Sequence, residues 1–187
     1  MRDRLAGGII LVFVGMLAGM MVADYGYGNV CPSRICVDSA DVVPISDRGY
    51  FMQLHNALSN AGESIHIVSF ELKYYEGYPN SSMNVIIQDL IDAKNRGVDV
   101  RIVVDEFSEA DNAHHILAAN GIEVRNDSKS TTTHAKLVVI DGEIVVLGST
   151  NLSYYGLERN NEVDVLIRDR EAAGYFEGYF QGLWDAS

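Results

Sequence analysis

Two apolar, β-branched-rich runs on either side of Asp141-Gly142 constrain this chain more than any other feature. Leu137-Val138-Val139-Ile140 and Ile144-Val145-Val146-Leu147 have strand composition, and the Asp-Gly pair between them favours a tight hairpin turn. With a two-residue loop, Ile140 pairs with Glu143. That register puts Lys136 opposite Leu147, Ala135 opposite Gly148 and His134 opposite Ser149. Strand alternation sets His134 and Lys136 on one face. The hairpin is apolar along its length and polar at its open end, where His134, Lys136, Ser149 and Asn151 converge.

That end suits a phosphate group. Lys136 supplies a point charge, Ser149 and Asn151 supply neutral donors, and Gly148 permits close approach of backbone. His134 alone among them can attack phosphorus or move a proton near neutral pH. A metal site is not expected, because the lysine two residues from His134 would repel a divalent cation. H-x-K by itself says little, since a buried hairpin with polar ends explains it. The full pattern, H-x-K-x4-D-x6-G-S-x-N from His134 to Asn151, is far more restrictive.

This pattern resembles the HKD motif of the phospholipase D superfamily of metal-independent phosphodiesterases. The organisation from about Val43 to Trp184 is similar to the small single-motif members, the bacterial Nuc-type endonucleases and the mitochondrial phospholipase-like proteins. The resemblance implies a ping-pong reaction through a covalent phosphohistidine on His134, without a cofactor. A second motif histidine would protonate the leaving oxygen and then activate water. His134 has no such twin in this sequence, since no other histidine begins an H-x-K. The second copy must then come from another subunit, in a homodimer whose two-fold axis brings both hairpins together. The resemblance also carries Asp141 and Glu162 into the catalytic set. Glu162 precedes the β-branched run Val163–Ile167, where a carboxylate would fix a histidine tautomer. Asp141 reads first as a turn former, far from the hairpin mouth.

At 187 residues the chain has room for one domain with a real core and an appendage. Leu5 to Ala23 is nineteen residues without a charge, just long enough for one transmembrane helix. Arg2 and Arg4 precede it, which puts the N-terminus in the cytoplasm and the domain outside. A cleaved signal peptide and a secreted domain is the competing reading, but the stretch is long and Met21-Val22-Ala23 is a poor cleavage site. Gly15 and Gly19 form a small-residue face compatible with paired helices. The expected organisation is an anchor over residues 1–23, a linker over 24–42 and a phosphodiesterase domain over 43–187. Cys31 and Cys36, the only cysteines, are either a disulfide, within or between chains, or two plain thiols.

Within the domain, strands and helices alternate. Helices are predicted over 47–61, 82–95, 109–119 and 170–183, the second stopped at Arg96-Gly97. Strands are predicted over 64–70, 98–105 and 121–124, then the hairpin and the Val163 run. The expected fold class is α/β, a mixed central sheet flanked by helices. Tyr175, Phe176, Tyr179, Phe180 and Trp184 at helical spacing read as core. His114-His115 reads as surface. Lys73, Tyr74 and Tyr75 are groove candidates, and Asn126 to Thr133 a site rim.

From Asp24 onward 12 Lys and Arg face 25 Asp and Glu, a net charge of −13. Such a surface disfavours tight nonspecific duplex binding, although Lys73, Arg125, Lys129 and Lys136 can form a local basic groove. The expected substrate is a phosphodiester, either a phospholipid at a membrane or single-stranded nucleic acid. The other class left open is a catalytically inactive, membrane-tethered phosphate-binding module.

Overall fold

A computed structural model describes residues 35–106 and 112–187. The uncharged stretch 5–23, Cys31 and most of the expected linker lie outside the described residues. Among those described, no helix is long and apolar enough to cross a membrane. Cys36 is disulfide-bonded, and Cys31, the only other cysteine, lies outside the described residues.

Seven strands form one sheet: β1 (Val42–Ser46), β2 (Ser64–Ser69), β3 (Asp99–Val104), β4 (Glu123–Asn126), β5 (Lys136–Ile140), β6 (Ile144–Gly148) and β7 (Val163–Arg168). Their order across the sheet is β1-β7-β6-β5-β2-β3-β4. The β2, β3 and β4 strands run parallel, and every other pairing is antiparallel. Four helices cover the sheet: α1 (Gly49–Asn60), α2 (Ser82–Asn95), α3 (Asn112–Ala119) and α4 (Arg170–Ala186). The mixed α/β architecture expected from the sequence is therefore present.

Burial on both faces explains why the central strands read as unbroken apolar runs. On one face Ile65, Ile67, Ile102, Val138 and Ile140 pack with Leu54 and Leu58 of α1 and Ile86 and Leu90 of α2. On the other, Val68, Val103, Leu137, Val139 and Val145 meet Ala173, Phe180 and Trp184 of α4. Local chemistry sets the helix ends. The Ser81 hydroxyl accepts from the Asn84 N–H at 3.3 Å and starts α2, and Gly97, at φ +94°, ends it. The Asp169 carboxylate accepts from the Ala172 N–H at 2.7 Å and starts α4.

The structure corrects four expectations. The turn after β5 holds three residues, so Ile140 pairs with Ile144 and not Glu143. Asp141 and Gly142 both take positive φ, +54° and +60°, as an Asp-Gly turn should. The Glu143 N–H still donates to the Ile140 carbonyl at 3.0 Å and closes that turn, while its carbonyl accepts the Asp169 N–H at 2.9 Å. Second, β1 was not among the expected strands, and its first residue, Val42, falls in the expected linker. It is an edge strand paired only with β7, the one kind of strand in which Pro44 costs no ladder bond. Third, β4 begins two residues later than expected, after Gly121 at φ +75°. Fourth, only part of the aromatic stripe on α4 is core: Phe180 and Trp184 are buried, whereas Tyr175 and Tyr179 are 65% and 47% exposed.

Candidate active site

The hairpin and two neighbouring segments build one pocket edge. β5 starts at Lys136, so His134 sits just ahead of the strand, exposed and on the same side. Lys136 Nζ lies 3.0 Å from His134 Nδ1 and 3.2 Å from Nε2, and donates to the His134 carbonyl at 2.8 Å. Phe70, just beyond β2, packs its ring 4.6 Å from the imidazole and 5.2 Å from the ammonium. Partial burial pulls the Lys136 ammonium below the usual lysine range, against the opposing charges of Glu71 and Glu162.

The returning arm is fixed from below by β7. Gly148 pairs with Asp164, and a Cβ there would lie 2.2 Å from Asp164 Oδ1 and 2.5 Å from its Cα. Close approach at Gly148 therefore serves the neighbouring strand. Asp164 accepts from the Thr150 N–H at 3.1 Å and the Thr150 hydroxyl at 2.6 Å. Burial pushes its carboxyl above the ordinary range, against those two bonds. Asn151 follows, with its Oδ1 sealed from solvent and lacking a hydrogen-bond partner. Its carbonyl abuts Gly156, where a Cβ would come within 2.2 Å. Gly156 lies in a single π-turn, Tyr155–Arg159, a device that re-aims backbone near sites. Nothing in the local pattern announced that turn.

Ser149 and Glu162 do not stand free. The Ser149 hydroxyl donates to Glu162 Oε2 at 2.5 Å and accepts the Val163 N–H at 3.1 Å. The second Glu162 oxygen accepts from Asn160 Nδ2 at 2.9 Å. Glu162 is buried, and it bears on the pocket through its charge on Lys136 and not through a bond to its own His134.

Asp141 is not in the pocket. It stands five residues beyond Lys136, about 17 Å along the strand at the usual rise. Its carboxylate accepts the backbone N–H groups of Gly62, Glu63 and Ser64 at 3.0, 2.7 and 2.9 Å. The catalytic place given to Asp141 is thus corrected to a structural one: it pins the turn to the start of β2. Arg125 leaves the expected basic groove too. It lies 3.9 Å over the Trp184 ring, donates to the Trp184 carbonyl and pairs with Glu123. His115 is exposed as expected, while the His114 Nε2 is buried.

Two clefts open on the described surface, one of them at the hairpin. One, of about 390 Å³, has Lys136, Leu147 and Gly148 on the hairpin side and Tyr175, Phe176 and Tyr179 on α4. The other, of about 770 Å³, is lined by Tyr75, Tyr78, Pro79, Ser81, Tyr154 and Glu158. Tyr75 is thus a groove residue, its hydroxyl accepting the Tyr154 N–H at 2.8 Å, and both Tyr74 and Tyr75 pack on the core.

The chain is similar to known proteins over most of the described region. Residues 54–184 match the family described as cardiolipin synthase, PLD-like domain. A mitochondrial cardiolipin hydrolase of Xenopus tropicalis is 33% identical over 92 residues, 48% of this chain and 44% of that protein. A phospholipase D of Rickettsia felis is 32% identical over 128 residues, 67% of this chain and 58% of that protein. The chain therefore spans about half the length of these curated relatives. Among solved structures, Nuc from Salmonella typhimurium superposes with a TM-score of 0.67 at 25% identity, covering 78% of this chain and 95% of that one.

Proposed function

The chain belongs to the phospholipase D superfamily, and from that premise we propose that it is a phosphodiesterase acting through a phosphohistidine at His134. The observation that carries the reading is the pairing of His134 with Lys136. An exposed imidazole with an ammonium 3.0 Å away offers a nucleophile and a charge for the same phosphoryl group.

In the first step a His134 ring nitrogen attacks phosphorus. A P–N bond forms as the P–O bond to the leaving group breaks, and the leaving oxygen takes a proton from a second imidazole. That imidazole, now neutral, removes a proton from water. The hydroxide displaces His134, giving the phosphomonoester. Protons and bonds balance without a metal or redox partner. Among the described residues no other histidine of this chain is at hand. His55 is bonded to Asp89 at 2.7 Å, His66 to Glu177 at 2.6 Å, and His114 and His115 belong to α3. The second imidazole is therefore assigned to His134 of a second copy, in a two-fold homodimer joined across the hairpin mouth. In this reading Glu162, held by Ser149 and Asn160, balances the imidazolium that forms.

The substrate is a phosphodiester small in total charge. A net of −13 from Asp24 onward disfavours a long polyanion, which weights the choice toward a phospholipid over single-stranded nucleic acid. The uncharged stretch 5–23 supports membrane tethering with the domain extracytoplasmic, or secretion after cleavage.

The test is hydrolysis of bis(p-nitrophenyl) phosphate by the full chain and by His134→Asn. Loss of turnover by about 1,000-fold or more is expected when the nucleophile is removed. Wild-type protein quenched during turnover should carry one p-nitrophenyl phosphoryl group, held to His134 by an acid-labile P–N bond. Undiminished turnover in His134→Asn sinks the mechanism. Phosphate binding without turnover by the wild type would make the chain a binding module.

A further inference from the structure

Three carboxylates gather at a different corner of the sheet. Asp105 follows β3, Glu106 comes next, and Asp127 follows β4, each offering an oxygen within 4.8 Å of the others. The topology forces this meeting. β3 and β4 are parallel neighbours with Val104 paired to Asn126, so the residues just past their C-terminal ends emerge side by side. The Asp127 N–H donates to the Val104 carbonyl at 2.9 Å, and Asp127 Oδ1 accepts the Glu106 N–H at 3.1 Å. Asp105 Oδ2 accepts the N–H of Thr133, the residue before His134, at 2.7 Å.

A second observation points to a ligand. Asp127 is only 8% exposed, and its Oδ2, closed off from solvent, has no hydrogen-bond partner. Glu106 Oε2 is in the same state. These two carboxyls stand within bonding reach, and contact with Asp127 is the first cause raising Glu106 above its ordinary range, with burial next. Among the described residues, the side-chain charges that bear on Glu106 are those of Asp127 and Asp105, both negative. Two sealed carboxylate oxygens facing each other need a positive charge between them, either a proton or a cation.

We propose that Asp105, Glu106 and Asp127 bind one hard divalent cation of the calcium class, joining the ends of β3 and β4 to the segment that delivers His134. The donor set is all oxygen, without thiolate or imidazole, which disfavours zinc and copper. Donors carried on irregular backbone after two strands match the tolerant, many-oxygen geometry of calcium better than the strict octahedron of magnesium. The ion's role is structural. Through Asp105 it stiffens the Thr133 N–H contact, and it takes no part in phosphoryl transfer.

The experiment reads binding, not turnover, so its result is independent of the phosphodiesterase reading. Full-length protein in detergent, stripped with EDTA, is titrated calorimetrically with CaCl2, MnCl2 and MgCl2, and its melting is followed with and without each ion. One saturable calcium per chain is expected, tighter than magnesium, with a rise in Tm. Asp127→Asn and Glu106→Gln should each weaken calcium binding by about tenfold or more. Both amides relieve the carboxylate repulsion, so folding should persist in the stripped state. Absence of saturable binding for all three ions would assign the pair a shared proton and overturn the proposal. Unchanged calcium affinity in Asp127→Asn, with folding verified, would overturn it as well. If neither variant folds, the stoichiometry and Tm response of the wild type decide.

Discussion

Lys136 is shaped by two opposing influences: partial burial disfavours its charge, while Glu71 and Glu162 favour it. Burial is the larger, so the ammonium loses its proton at a lower pH than a free lysine does. If this charge holds the substrate phosphate, KM should climb on the alkaline side before pH reaches about 10.4, the ordinary lysine value. Lys136→Arg keeps its charge throughout that range, so its KM should stay flat there even if kcat falls. A KM–pH series on both proteins checks this, and parallel curves would remove Lys136 from substrate binding. The chemistry of such positions was readable from residue type, because an imidazole beside an ammonium means much the same in any fold. Their hydrogen-bond partners were not. Ser149 was read as a phosphate donor, yet its hydroxyl is committed to Glu162, thirteen residues away. Arg125 was read as groove-lining, yet it caps Trp184 from a different element.

The hairpin tolerates little change at its two fixed points. Asp141 takes three backbone N–H groups that otherwise begin β2 without partners. Charge-assisted bonds are worth ~1.5–3 kcal/mol each when shielded from water, but those to Gly62 and Glu63 are exposed and water replaces them, so Asp141→Ala should cost about 2 kcal/mol and lower Tm by roughly 4–8 °C. Its kcat should stay near wild type at temperatures where it is folded. A large fall in kcat with normal Tm would return Asp141 to the catalytic set. Gly148→Ala should behave in the opposite way. The added methyl meets the Asp164 carboxylate and backbone, so it displaces the group that holds Thr150 and, next to it, Asn151. Overpacking of this kind costs about 1–3 kcal/mol. Activity should fall further than that loss of stability explains, measured as kcat/KM well below the Tm. The elements around these points were largely legible: apolar runs gave β2, β3, β5, β6 and β7, and helical spacing gave α1, α2 and α4. The hairpin register was not: Glu143 closes the turn through its N–H and gives its carbonyl to Asp169, a bond made only once β7 is in place. Nor was β1, whose Pro44 argues against a strand until its place at the sheet edge is known.

Assembly gives the proposed mechanism its most demanding consequence. If each site needs His134 from both copies of a two-fold dimer, a mixed dimer of wild type and His134→Asn has no complete site at all. A chain that carried its whole site would lose activity in simple proportion to the mutant fraction. The shared site instead makes activity follow the square of the wild-type fraction. In an equal mixture, fully exchanged by denaturation and refolding at constant total protein, about one quarter of the wild-type rate should remain, against about one half for independent chains. Subunit exchange is verified separately with two fluorescent labels, so that unmixed homodimers are not mistaken for independence. The same logic sets the concentration dependence. Dilution below the dimer Kd should abolish specific activity cooperatively, while Asp141→Ala, whose defect lies within one chain, should show the same midpoint as wild type. A linear mixing curve with exchange complete would require a proton donor on the same chain as the nucleophile. Among the described residues the side chain bonded to His134 is that of Lys136, and Lys136→Met would then be the variant that stops leaving-group departure.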